Sequence, residues 1–276
     1  MEQRYIVKEL LKSVTDSLSP NIPRASREAQ LLLMNYLEVD ELWLITNQNT
    51  ELKNVEKLLE WVERRAKNEP FEYITNKVSF YSEEFYIAPG ALIPRPETEI
   101  LIDEVLKYAP DSNADMRFVE VGVGSGIISI MLAKKFPNAT IIAVDISQEA
   151  LNIAQENIQR FGLENRIELR LGSLLDVLSE KIDYLVSNPP YIENGISLES
   201  NLDYEPQNAL YGGEIGDEII KALLDEVLKR EIKFFSCEMG YDQKDKISSY
   251  LKDAKIKHLD FYQDYADFDR GFTLRL

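Results

Sequence analysis

From Arg117 onward, strand-like apolar runs and helix-like segments take turns along the chain, and that alternation leaves few folds open. Apolar runs predict strands near 117–121, 140–144, 167–171, 183–187, 233–238 and 257–262, with a last one near 271–276. Spacings of three and four predict helices near 126–135, 147–160, 217–230 and 242–252, which separate most of those strands. Strands alternating with helices in this way predict a doubly wound α/β sheet. Such sheets bind their ligands outside the carboxyl ends of the strands, so the residues that follow each strand carry the functional reading.

After the first of these strands, Phe118-Val119-Glu120-Val121 runs straight into Gly122-Val123-Gly124-Ser125-Gly126 and then into the helix beginning Ile127-Ile128. Glycines at a strand–helix turn let a ligand approach the backbone closely. The second strand, Thr140 to Val144, ends in Asp145, whose carboxylate can accept both hydroxyls of a ribose. The order of strand, glycine turn, helix, strand and acid points to a nucleoside. The dinucleotide pattern wants its third glycine at position 127, which is Ile127 here. A tight turn, NAD and S-adenosylmethionine are the readings of the loop, and a second motif selects the last. Glu120 can face a positive sulfonium or anchor the turn. Gly172-Ser173, ending the third strand, is where an adenine edge is expected.

That second motif is Asn188-Pro189-Pro190-Tyr191, directly after the apolar run Tyr184 to Ser187. Asn188 offers a carbonyl oxygen that can accept from an N–H group. Pro189 holds Asn188 extended, and paired prolines stiffen the turn. The Pro189 carbonyl is a second acceptor, and Tyr191 offers a flat face on which a planar group can pack. Two acceptors beside a ring suit a planar NH₂ group, the substrate end of an amino-group methyltransferase. Asn188, Pro189 and Tyr191 are the predicted catalytic residues, and Asn188 through Tyr191 the predicted substrate contacts.

Composition removes other chemistries. With one cysteine and one histidine, the chain lacks ligands for a Cys/His zinc site, and no metal is expected. His258 lies in a late charged segment without a nucleophile motif and reads as a surface or strand-edge residue. Cys237, within Phe234-Phe235-Ser236-Cys237, reads as a buried structural thiol that fits a reducing cytoplasm. The amino terminus, Met1 to Tyr5, carries no apolar signal core, and no run is long enough to cross a membrane. A net charge of −17 with no basic block opposes binding to a nucleic-acid backbone. The first 70 residues read as a small helical bundle, broken at Pro20, Pro23 and Asn47 to Thr50. Val78 to Tyr81 and Phe85 to Ile87 flank Ser82-Glu83-Glu84 and predict a hairpin.

Several segments together resemble a named family, the protein-(glutamine-N5) methyltransferases that modify peptide chain release factors. They are Ile93-Pro94-Arg95-Pro96-Glu97-Thr98-Glu99, the glycine turn with Asp145, and Asn188 through Ile192. Further on stand Glu205-Pro206, Ala209-Leu210-Tyr211-Gly212-Gly213, Cys237 through Gln243, and Asp264 through Arg270. The chain departs from the family at Glu120, where Asp is frequent, and in Gly213 through Asp217. The resemblance implies a seven-stranded, Rossmann-like class I methyltransferase sheet with a small N-terminal helical bundle. The expected division is 1–75 for a substrate-recognising bundle, 76–92 for a hairpin linker and 93–276 for the S-adenosylmethionine-dependent domain. Gly122, Val123, Gly124, Ser125, Gly126, Asp145 and Ser173, with Asn188, would hold S-adenosylmethionine. Asn188, Pro189, Pro190 and Tyr191 would hold the glutamine of the Gly-Gly-Gln motif in class 1 release factors. A cytoplasmic monomer is expected. A sister family that methylates a glutamine of a ribosomal large-subunit protein shares these motifs, and enzymes acting on adenine or guanine amino groups share the Asn-Pro-Pro-Tyr motif alone.

Overall fold

The computed structural model describes residues 4–109 and 114–276; Met1, Glu2 and Gln3, part of the amino-terminal reading, lie outside the described residues. By its internal contacts the chain forms two units. One is built from the residues up to Lys77 together with Glu199–Tyr204, the other from Val78–Leu198 and Glu205–Leu276.

The first unit is helical: β1 (Tyr5–Ile6), α1 (Val7–Leu18), α2 (Ala25–Leu37), α3 (Glu41–Thr46), β2 (Glu51–Leu52), α4 (Glu56–Ala66) and α5 (Phe71–Thr75). Val7, Leu10, Val14 and Leu18 recur at three- and four-residue steps, so α1 buries one stripe against Leu32, Leu33 and Leu58. Each of these side chains contributes about 1.5–3 kcal/mol by leaving water. Asp40 starts α3 by accepting from the Trp43 N–H at 2.8 Å. That helix went unseen in the sequence because six residues are too few to show a period.

The second unit begins at Val78, within β3 (Lys77–Phe80), and continues into β4 (Glu83–Tyr86). Its hairpin turns at Tyr81 and Ser82, not across Ser82 to Glu84. Both turn residues have positive φ, 53° and 62°, the turn whose twist matches the flanking strands. Phe80 and Phe85 are buried, so the hairpin is part of this unit's core. There follow α6 (Thr98–Tyr108), β5 (Arg117–Val121), α7 (Ile127–Lys135), β6 (Thr140–Asp145), α8 (Gln148–Arg160), β7 (Ile167–Leu171), β8 (Tyr184–Ser187) and β9 (Ile192–Glu193). The last elements are α9 (Gln207–Leu210), β10 (Tyr211–Gly213), α10 (Glu218–Arg230), β11 (Phe234–Glu238), α11 (Lys244–Tyr250), β12 (His258–Gln263) and β13 (Asp269–Arg275).

Seven of these strands form one sheet in the order β12-β13-β11-β8-β5-β6-β7. Its five central and right-hand strands, β11, β8, β5, β6 and β7, pair in parallel, while β13 runs antiparallel to both its neighbours. The chain winds outward from β5 to β7, then returns to lay β8 on the other side of β5. The order reverses there, and the crevice between the ends of β5 and β8 is the natural ligand position. The Ser187 hydroxyl clamps that position by donating to the Val121 carbonyl at 2.7 Å. His258 is exposed on the edge strand β12, and Cys237 is buried in β11.

Asn157 on α8 ties the hairpin to the glycine turn. Its Oδ1 accepts from the Tyr86 N–H at 2.8 Å, and its Nδ2 donates to the carbonyls of Tyr86 (2.9 Å) and Ser125 (2.8 Å). Asn157→Ala strands three backbone groups, one of them fully buried, and is expected to cost about 3 kcal/mol or more. Urea unfolding reads this as a lower midpoint at unchanged slope; a loss under about 1 kcal/mol would refute the assignment.

Candidate active site

The glycine turn is shaped by conformations that only glycine adopts freely. Gly122, Gly124 and Gly126 have φ of 77°, 53° and 82°. They do different work. A Cβ on Gly122 would stand 3.7 Å from the Asn188 carbonyl oxygen, a measure of how closely the loops after β5 and β8 approach. A Cβ on Gly124 would meet open space. A Cβ on Gly126 would crowd Ala154 at 3.1 Å, so Gly126 lets α7 pack on α8.

A cavity of about 360 Å³ opens above this turn. Of the residues expected to hold a nucleoside, Gly122, Val123, Gly124, Ser125, Asp145 and Ser173 line it, and Asn188, Pro189 and Pro190 line it too. The structure therefore brings the two predicted motifs to one chamber. Gly126 and Tyr191 lie outside its wall, the first for the packing reason above. Tyr191 does not present its ring to the cavity: it packs against the sheet core, and its hydroxyl donates to Glu238 at 3.3 Å.

The Asp145 carboxylate braces the turn. Oδ2 accepts from the Gly124 N–H and Oδ1 from the Ser147 N–H, both at 2.9 Å. Burial raises its pKa, and those N–H groups hold the rise in check. Each oxygen keeps a lone pair for a hydroxyl. Glu120 is 1% exposed, and burial pushes it up to about 8. The Ser129 hydroxyl donates to its Oε2, while the buried Oε1 has no partner among the described residues; Glu120 is one of the residues lining the cavity. A buried acceptor left open in the wall, together with free space at Gly124, fits a cationic, backbone-hugging cofactor.

Asn188 is held by its amide nitrogen. Nδ2 donates to Thr98 Oγ1 at 3.1 Å, and Thr98 in turn donates to Glu238 Oε2 at 2.8 Å. Glu238 is buried and pushed up to about 7 by desolvation, against the pull of the Thr98 and Tyr191 hydroxyls. Behind the motif, the buried Gln243 donates to the carbonyls of Tyr191 (3.1 Å) and Gly216 (3.0 Å). At the rim, the buried Glu205 accepts from the Ile93 N–H at 2.9 Å and from Arg95 Nη2 at 2.6 Å.

Those rim and supporting residues are what residue-by-residue reading missed. Pro94, Thr98, Pro206, Asn208, Ala209 and Tyr211 all line the cavity. They lie in the Ile93–Glu99 and Glu205–Gly213 segments, whose unusual composition marked them without assigning a task to any side chain. Among the described residues no cluster could hold a metal ion.

Residues 9–75 match the family described as the PrmC N-terminal domain, and residues 97–203 the Methyltransferase small domain. The release factor glutamine methyltransferase of Koribacter versatilis (strain Ellin345) is 41% identical over 240 residues, 84% of each chain. That of Coxiella burnetii (strain RSA 493) is 31% identical over 98% of each chain. Among solved structures, the hMettl16 catalytic domain in complex with a MAT2A 3'UTR hairpin superposes with a TM-score of 0.59 at 14% identity, covering 82% of this chain and 84% of that one. The N-terminal domain of human METTL16 in complex with SAH gives 0.51 at 15% identity, covering 83% and 86%. At those identities the structural likeness speaks for the methyltransferase fold alone. Sequence identity over nearly the whole length goes further: the chain belongs to the release factor glutamine methyltransferases.

Proposed function

We propose that this chain transfers a methyl group from S-adenosylmethionine to the side-chain amide nitrogen of the glutamine in the Gly-Gly-Gln motif of class 1 peptide chain release factors. The observation that carries the reading is the orientation of Asn188. With Nδ2 committed to Thr98, its Oδ1 is left as an acceptor in the wall that faces the glycine turn. The Pro189 carbonyl supplies the second acceptor. A carboxamide nitrogen is a weak nucleophile because its lone pair is delocalised into the carbonyl. Two acceptors that grip its two protons turn that nitrogen toward the cofactor end of the cavity, a positioning effect that can supply several kcal/mol.

Gly122 through Ser125 would carry the cofactor against their backbone, Asp145 would take the ribose hydroxyls, and Ser173 would lie beside the adenine. The open Oε1 of Glu120 would face the positive charge. Bound there, the cofactor supplies an electrophilic methyl group on a sulfonium. The substrate nitrogen gains that methyl and sheds one proton, which it loses readily once alkylated, so no strong base is needed. The remote, exposed His258 is consistent with that chemistry. We assign the helical unit to recognition of the protein substrate and the activity to the cytoplasm. A buried free thiol suits a reducing compartment, and no described helix is long and apolar enough to cross a membrane.

The test is incubation with labelled cofactor and, separately, release factor, ribosomal large-subunit protein, tRNA and DNA. Label is expected in the release factor, with mass spectrometry placing one added methyl on its Gly-Gly-Gln peptide. Label in the ribosomal protein or a nucleic acid alone would overturn the reading.

A further inference from the structure

The geometry points to Thr98 and Glu238 as positioning residues that fix which end of the Asn188 amide faces the substrate, and so make the site select an NH₂ group over an oxygen. This rests on the substrate reading above and adds to it the source of the site's polarity.

An asparagine amide is nearly symmetric in shape, so packing alone does not choose between its oxygen and its nitrogen. A hydrogen-bond chain can choose. A carboxylate only accepts. Glu238 Oε2 therefore takes the Thr98 hydroxyl proton, at 2.8 Å. A hydroxyl that has spent its one proton can only accept from its other neighbour, and at 3.1 Å that neighbour is Asn188. The amide must then turn Nδ2 to Thr98 and Oδ1 to the cavity. Glu238 is itself held by the Tyr191 hydroxyl on Oε1, so the motif's tyrosine acts from behind, on the carboxylate, and not on the substrate. Thr98 begins α6 and lines the cavity, which puts the relay directly between the sheet and the reacting group.

Reversed, the amide would present Nδ2 as a donor. The site would then repel a carboxamide nitrogen and suit a carboxylate oxygen. The relay thus predicts a property that ordinary structural support does not: loosening it shifts preference from a Gly-Gly-Gln peptide toward a Gly-Gly-Glu peptide.

The experiment compares wild type, Thr98→Val, Thr98→Ser and Glu238→Gln at about pH 8, above the value of about 7 to which burial pushes the Glu238 carboxyl. Turnover, S-adenosylhomocysteine affinity and calorimetric binding of both peptides are measured. Thr98→Val is expected to lose about tenfold or more in kcat, with cofactor affinity within about threefold and the Gln-over-Glu preference reduced about tenfold. Thr98→Ser keeps the relay and should stay within about threefold of wild type throughout. Glu238→Gln can offer either a donor or an acceptor to Thr98, so it should lose part of the preference while keeping its shape. Wild-type turnover and unchanged preference in Thr98→Val overturns the proposal. So does a Thr98→Ser as impaired as Thr98→Val, which would assign the effect to the packing of the methyl group. If Thr98→Val does not fold, Glu238→Gln decides, and an unchanged preference there is fatal. Should the unaltered chain bind the glutamine peptide yet transfer no methyl, the substrate reading fails, while peptide preference still tests the relay.

Discussion

Asn188→Ala is expected to cut turnover on a Gly-Gly-Gln peptide about 10²-fold or more, roughly 2.7 kcal/mol on the transition state. It removes one of the two acceptors that would grip the amide protons. What remains is the Pro189 carbonyl, which can hold one proton while the nitrogen swings about it. The substitution should leave S-adenosylhomocysteine affinity nearly untouched, because the glycine turn and Asp145 make their braces without the Asn188 side chain. A loss confined to kcat is the signature of an interaction made in the transition state. Equal turnover in mutant and wild type, followed with labelled cofactor, would end the proposal that this amide positions the substrate.

A second large effect is expected from a residue that touches no ligand. Gly212 sits in β10, which pairs in parallel with β9 just beyond the Asn188 motif, Tyr211 opposite Ile192. A Cβ on Gly212 would collide with the Pro190 carbonyl oxygen and stand 2.6 Å from that of Gly216. Both obstacles are backbone, and neither can rotate away as a side chain would. Gly212→Ala must therefore push the Pro190 peptide, and with it the turn that aims Asn188 and Pro189. A displacement near 1 Å at such a site can cost about 10²-fold in rate, and overpacking of this kind costs about 1–3 kcal/mol of stability. Steady-state kinetics beside a thermal melt separates the two. Wild-type turnover in a folded Gly212→Ala would show that the motif tolerates movement and would count against the positioning mechanism.

The parts of this site that could be read from sequence are those whose meaning is local. Phe118 and Val119 are buried on opposite faces of β5, so a covered parallel strand announces itself as an unbroken apolar run. A glycine turn or a proline pair declares its backbone geometry within a few residues. Pairings across the fold leave no such trace. Thr98 and Glu238 meet from 140 positions apart, and Asn188 and Thr98 from 90. Nothing periodic in the sequence links them. The place of Tyr191 was hidden for the same reason: the sequence shows a flat face for a planar group, and only the position of Glu238 in the neighbouring strand explains why its hydroxyl turns inward. β9 and β10, at two and three residues, are too short for any pattern, yet they set the height of the substrate motif.

The placement of β13 between β11 and β12 has a consequence for how the sheet is assembled. In chain order β12 comes first, but among the described residues its one ladder partner is the strand that follows it. The two must meet as an antiparallel pair around the Asp264 loop, where that carboxylate takes the N–H groups of Ala266 and Phe268 and pairs with Arg270. β13 also covers the flank of β11 that carries Glu238, which lies opposite Gly271. The buried carboxylate that orders the substrate cleft thus owes its seal to a strand that follows both Asn188 and Glu238 in the chain.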